Sequence, residues 1–261
     1  MNVTNKNWLA PCGAIALVLL AWGAVLNGSF QYDDFPNLLN DPATAGGAPL
    51  MDRLLNGIRP LTRLSHVPDR WAWGTWAGGW LLGNLMLHTL SVAGIFLIAR
   101  RCGASIVVSA IAAALFGLQP AHGMTVAYVS GRAAALMSAL LIYALYCHVR
   151  ASLSATAALQ WRGLALMLYL LATLAKETAL CFPLLLGLWE WSRQRGPASW
   201  SRILAPVLPS LAVTLMVGML ALTNDRYQQL LAFSLSLRDP VEALVQNCLA
   251  LPATLSLLLR P

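Results

Sequence analysis

The chain has 261 residues, of which 58% are hydrophobic and only 10% charged, with a mean hydropathy of +0.65. Soluble domains carry about 25% charged residues, so this composition excludes an ordinary soluble domain and points to an all-α polytopic membrane protein. The net charge of +7 is no sign of nucleic-acid binding until the charges are placed across a membrane. The cysteines Cys12, Cys102, Cys147, Cys181 and Cys248 stand singly, which argues against a zinc site or a disulfide framework.

A bilayer core of roughly 30 Å needs about 20 apolar residues in a helix. The first such run is Trp8–Leu26. No clean small-x-small cleavage pattern follows it, so it reads as a retained helix. Residues 27–74 form a long polar first loop, interrupted by Pro42 and Gly46-Gly47. Within it Met51–Ile58 and Leu61–Trp73 mix apolar and charged residues, as short interfacial helices do. Trp71, Trp73, Trp76 and Trp80 cluster at its end like a headgroup belt. Further spans are predicted over Gly78–Ala99, Ala104–Leu118, Ala133–Val149, Ala157–Ala175, Thr178–Trp191, Ile203–Leu222 and Leu244–Leu259, for about eight helices in one transmembrane domain over 1–261.

Arginine and lysine in short loops set the orientation. With a cytoplasmic N-terminus, Lys6, Arg100, Arg101, Arg150, Arg162, Arg193, Arg195, Arg202 and Arg260 fall inside with one acid, Glu190, and nine of the ten acids fall outside. Few lysines and abundant Ala and Leu suggest a bacterial source, so the expected location is a bacterial inner membrane with the active face periplasmic.

That orientation brings separated polar groups to one face. Asp33 and Asp34 lie just beyond the first helix, and adjacent carboxylates suit a general base or a divalent cation site; a solvated turn is the plain alternative. Arg59 and Arg63 share the first loop, His122 precedes the fourth helix, Arg132 opens it, and Lys176-Glu177 join the fifth and sixth. Carboxylates beside several cations suit an anionic, lipid-linked substrate, with cations on phosphate and a carboxylate taking a hydroxyl proton. Headgroup anchoring explains the same arginines equally well. Asn84 and His88 lie one helical turn apart within a span, where a buried helix-to-helix hydrogen bond is favoured over a catalytic role.

In order along the chain, Tyr32-Asp33-Asp34 with Asn37 and Asn40, Arg59-Pro60-Leu61, Asn84-Leu85-Met86-Leu87-His88, Gln119-Pro120-Ala121-His122, Gly131-Arg132 and Lys176-Glu177 resemble the transmembrane-and-TPR O-mannosyltransferases and their bacterial relatives, membrane glycosyltransferases of the GT-C superfamily. The likeness covers about residues 20–185. It implies a GT-C-like module, a polyprenyl-phosphate-linked sugar donor, an extracytoplasmic active site, and an acid of the first outer loop as catalytic base. That acid is Asp34 as first choice, with Asp33 as its partner or as a cation ligand. Arg59, Arg132 and Lys176 are then expected to hold the donor phosphate, supported by Arg63, His122, Glu177, Asn84 and His88. The acceptor is a hydroxyl on a protein or a glycan. Gln119 departs from the His usual before this Pro, and no TPR region follows, so the chain reads as a compact variant or a fragment. An inactive scaffold is the rival reading, followed by a small-molecule or lipid transporter.

Overall fold

The computed structural model describes residues 9–41, 49, 58–154, 156–194, 199–237 and 239–259. Its helices are α1 (Leu9–Trp22, continued by a 3-10 turn over Gly23–Asn27), α2 (Pro60–Trp73), α3 (Ala77–Arg101), α4 (Ile106–Leu118), α5 (Arg132–Leu153), α6 (Ala158–Ala175), α7 (Phe182–Ser192), α8 (Trp200–Leu222), α9 (Asp225–Leu237) and α10 (Pro240–Leu259). The all-α polytopic class expected from composition is the one observed. Among the described residues five helices are long and apolar enough to cross a membrane, or six if α4 is joined to Pro120–Val126 across a 51° bend. One of the eight expected spans is lost for a physical reason. The expected sixth span is divided into a 3-10 turn over Glu177–Cys181 and the 11 residues of α7, too short to span alone. The expected eighth span falls within the 20 residues of α10. The expected interfacial helix at Met51–Ile58 lies almost wholly outside the described residues.

Local chemistry sets the element ends. Ser105 caps α4, its Oγ accepting the Val108 N–H at 3.2 Å, which satisfies one orphan donor of the first turn. Pro120 cannot donate to a continuing helix, so the chain breaks at Gln119 and re-forms as short turns until α5. Helix α2 starts at Pro60, behind Arg59 in a left-handed conformation (φ 55°).

Helix α5 packs along α6 and α3, α3 against α4, and α1 against α4 and α3, while α7 pairs with α8. Helix association in lipid is driven by close packing rather than water exclusion, and small residues permit it. Gly117 shows this: a Cβ there would collide with the side chains of Val18 and Val92, where α1, α3 and α4 meet. At one end of the bundle Leu38, Trp80, Leu81 and Val129 form a buried cluster, with Leu26 and Phe30 against it. This cluster holds the first loop onto α3 and the segment before α5. Trp71 and Trp76 are exposed, as a belt requires, but Trp80 is fully buried and belongs to this core.

Helix α2 docks on α3, α5 and α6. Thr62 Oγ donates to Ala175 O at 2.8 Å, fixing the start of α2 to the end of α6. The polar residues singled out in the sequence sit at this end of the bundle.

Candidate active site

The site is built on three turns: residues 31–40 after α1, the start of α2, and 119–131 between α4 and α5. Asp34 joins the first to the third. Its side chain is fully buried, with Oδ2 accepting the Gln31 N–H at 2.9 Å and Oδ1 accepting both the Ser130 N–H at 2.9 Å and the Ser130 hydroxyl at 2.5 Å. Both of its oxygens are therefore committed. Asp33, one residue earlier, is exposed, and its backbone carbonyl accepts the Asn37 N–H at 3.0 Å. The turn is strained at Tyr32, which takes a φ of 36° although it is not glycine. Strain of this kind persists only where surroundings over-determine the backbone, and Asp34 with its three donors supplies that constraint. Tyr128 lies beside the Asp33 backbone and Ser130. Its phenol is pushed above its usual value by burial and by the Asp34 and Asp33 carboxylates, so it remains a proton donor at neutral pH.

Arg132 links the third turn to α2. It is 3% exposed, and its guanidinium donates to Asn84 Oδ1 (2.5 Å), Ser65 O (3.2 Å), Asp69 Oδ2 (2.5 Å) and Trp80 O (2.7 Å). Gly83 makes room for it on α3, since a Cβ there would collide with the guanidinium. Asn84 completes the joint, its amide donating to Tyr128 O at 2.7 Å and, at longer range, to Thr125 O and Val129 O. The Asp69 carboxyl is raised by burial, against the opposing pull of Arg132.

Arg59 and Glu177 form a bidentate pair, Nε to both carboxylate oxygens at 3.0 Å and Nη2 to Oε2 at 2.9 Å. Tyr227 of α9 reaches Glu177 Oε1 at 3.5 Å. Arg63 pairs with Asp41 at 2.6 Å. Lys176, between α6 and this pair, makes no ion pair among the described residues. His88 contacts Gly117 O through Nε2 at 2.9 Å, and its ring lies 4.9 Å from that of His122, which also packs on Phe116 at 4.7 Å. Trp22 Nε1 donates to the same Gly117 carbonyl at 2.8 Å. This group ties α1, α3 and α4 together, so His88 and Asn84 hold helices and loops as the structural reading expected.

Two expected site residues lie in surroundings that their expected roles did not foresee. Asp34 as the proton-accepting base meets the fact that its oxygens are buried and occupied by donors, whereas Asp33 is open. Arg132 as a phosphate ligand meets the fact that its fork is sealed inside the protein by four acceptors. Its position at the start of a helix suggested exposure, but the partners that bury it come from α2 and α3. As for a divalent cation on Asp33 and Asp34, no group of three or more His, Cys, Asp and Glu side chains converges among the described residues. With Asp34 engaged, the pair does not offer a ligand set.

Sequence reasoning missed Ser130, Tyr128, Asp69 and Tyr227. It also missed His66, which is 1% exposed on α2, stacks at 5.5 Å on Trp80 and leaves Nδ1 without a hydrogen-bond partner among the described residues. The one available signal was position: Ser130 precedes Gly131-Arg132, and Asp69 lies one helical turn after Ser65.

Fold and site thus define an all-α polytopic membrane protein whose loop carboxylates and basic residues are gathered at one end of the bundle. The chain is 35% identical to Protein O-mannosyl-transferase Tmtc1 of Drosophila melanogaster over 198 residues, covering 70% of this chain and 22% of that protein. It is 33% identical to Protein O-mannosyl-transferase Tmtc2 of the same organism over 202 residues, covering 70% and 21%. It spans about a fifth of the length of these relatives. No protein-family model and no solved structure matches it.

Proposed function

We propose that this chain is a membrane glycosyltransferase module that transfers a sugar, mannose by the names of its relatives, from a polyprenyl-phosphate donor to a hydroxyl acceptor. The observation that carries the proposal is the Asp33-Asp34 turn: one carboxylate tethers a strained loop and leaves its neighbour open. Asp33 is the base. It removes the acceptor hydroxyl's proton as that oxygen bonds to the anomeric carbon, and the bond from that carbon to the donor phosphate breaks with its electron pair leaving on phosphate. Lys176 faces the departing phosphate as a point charge. Arg59 joins it by exchanging Glu177 for phosphate, the exchange being inexpensive because the pair is partly exposed. Arg132, Asn84 and Asp34 position the three turns. Arg63, His122 and His88 support the same end of the bundle. The active face is extracytoplasmic in this reading, with 1–261 acting as one transmembrane unit, and no step passes through a metal.

The test uses the purified chain with polyprenyl-phosphate mannose. Lys176→Ala is expected to weaken donor binding roughly 10-fold or more, as loss of a hydrogen bond to a charged group does, and Lys176→Arg to restore most of it. Unchanged donor binding in Lys176→Ala removes the phosphate role.

A further inference from the structure

A cavity lies toward the opposite end of the bundle. From Arg132, at the site described above, to His148 is 148 − 132 = 16 residues of α5, about 24 Å at 1.5 Å per residue. There α5, α6, α7 and α8 enclose a cavity of about 350 Å³, at the lower end of the range for small-ligand pockets. Its deep wall is apolar, with Phe182 and Leu186 from the buried core beneath it.

The rim is cationic. Arg162 and Arg202 line the cavity, are exposed, and make no ion pair among the described residues. A third guanidinium, Arg193, donates to Ser152 Oγ at 2.9 Å, and Ser152 is also in the wall. The one acid there, Glu190, bonds His148 at 2.6 Å and makes no ion pair with either arginine among the described residues. The α8 wall is opened as well. Pro206 and Pro209 lack the N–H groups that would bond the carbonyls of Arg202 and Ala205, and all four residues face the cavity. These carbonyls can accept hydrogen bonds from headgroup hydroxyls.

An apolar interior, unpaired guanidinium groups at its mouth and nearby acceptors fit one kind of ligand. We infer that this cavity binds a lipid with an anionic phosphate headgroup, its chain against Phe182 and Leu186 and its phosphate between Arg162 and Arg202. A bilayer glycerophospholipid and a polyprenyl phosphate share this chemistry. The inference does not depend on glycosyl transfer, because the two sites lie at opposite ends of the bundle.

The test is native mass spectrometry of the full chain, purified in detergent and delipidated, with phosphatidylglycerol, polyprenyl phosphate and phosphatidylcholine as probes. Wild type should hold one phosphatidylglycerol or polyprenyl phosphate per chain in preference to phosphatidylcholine, and competition between the two anionic lipids identifies the source. Arg162→Ala with Arg202→Ala should weaken anionic binding at least about tenfold, as expected for lost charged hydrogen bonds. Ala205→Trp, which fills the cavity from an exposed position behind intact arginines, should weaken it as well. Equal binding of phosphatidylcholine, or wild-type affinity in the double variant or in Ala205→Trp, would overturn the inference.

Discussion

The first 180 residues and the last two helices use hydrophobicity differently. In the former, buried polar residues are joined to partners across long sequence separations: Asp34 to Ser130 and Arg132 to Asp69. In α9 and α10 no described side chain is buried, and Leu230, Phe233, Leu244 and Leu249 are exposed. Tyr227 is the exception, reaching back to Glu177. Burial of bonded polar groups is what distinguishes a built site from helices whose apolar faces await lipid or other protein.

The strongest way to break this comparison is at its hub. Arg132→Ala leaves Asp69 and Asn84 buried without their partner, and removing one member of a buried ion pair costs about 3–5 kcal/mol. Leu249→Ala, on exposed α10, should stay within about 0.5 kcal/mol. Thermal unfolding in detergent compares them, and equal shifts would erase the distinction between the regions.

A smaller effect comes from pH. Burial first, and then the charge of Arg132, push the His66 imidazole from 6.5 down to about 3. The folded state therefore refuses a proton that the unfolded chain accepts below pH 6.5. Nothing is lost above that pH, and stability falls as the pH drops toward 3, by about 2 kcal/mol at pH 5. Unfolding followed between pH 7 and 5 should show this slope, and His66→Phe should flatten it.

A smaller effect still is expected at the Arg59–Glu177 pair. Arg59→Ala breaks a pair whose side chains are 41% and 34% exposed, so screening leaves a stability change within about 1 kcal/mol. A loss near that of Arg132→Ala would mean that this pair is built like the hub.

Much of the fold was legible in the sequence. Runs of Leu, Ala and Val gave the helices α1, α3, α4, α5, α6 and α8, and Gln119-Pro120 gave the break after α4. The division of the expected sixth span was not legible, because hydropathy does not register the 3-10 turn at Glu177–Cys181. The residues gathered at the site were legible as a set, since topology alone brings Asp33, Arg59 and Lys176 to one end. Their surroundings were not. Whether a carboxylate or guanidinium is open or sealed depends on partners 63 to 96 residues away, and no local pattern encodes that. Adjacent Asp33 and Asp34 look equivalent as letters, yet Ser130 takes one of them out of solution.

That inequality is the central claim, and paired substitutions in one transfer assay test it most directly. Asp33→Asn should unfold like wild type and bind donor, while turnover falls roughly 100-fold or more. Asp34→Asn should instead lower stability by about 1–3 kcal/mol, because an amide cannot accept all three donors. Near-normal turnover in a folded Asp33→Asn protein would contradict the account.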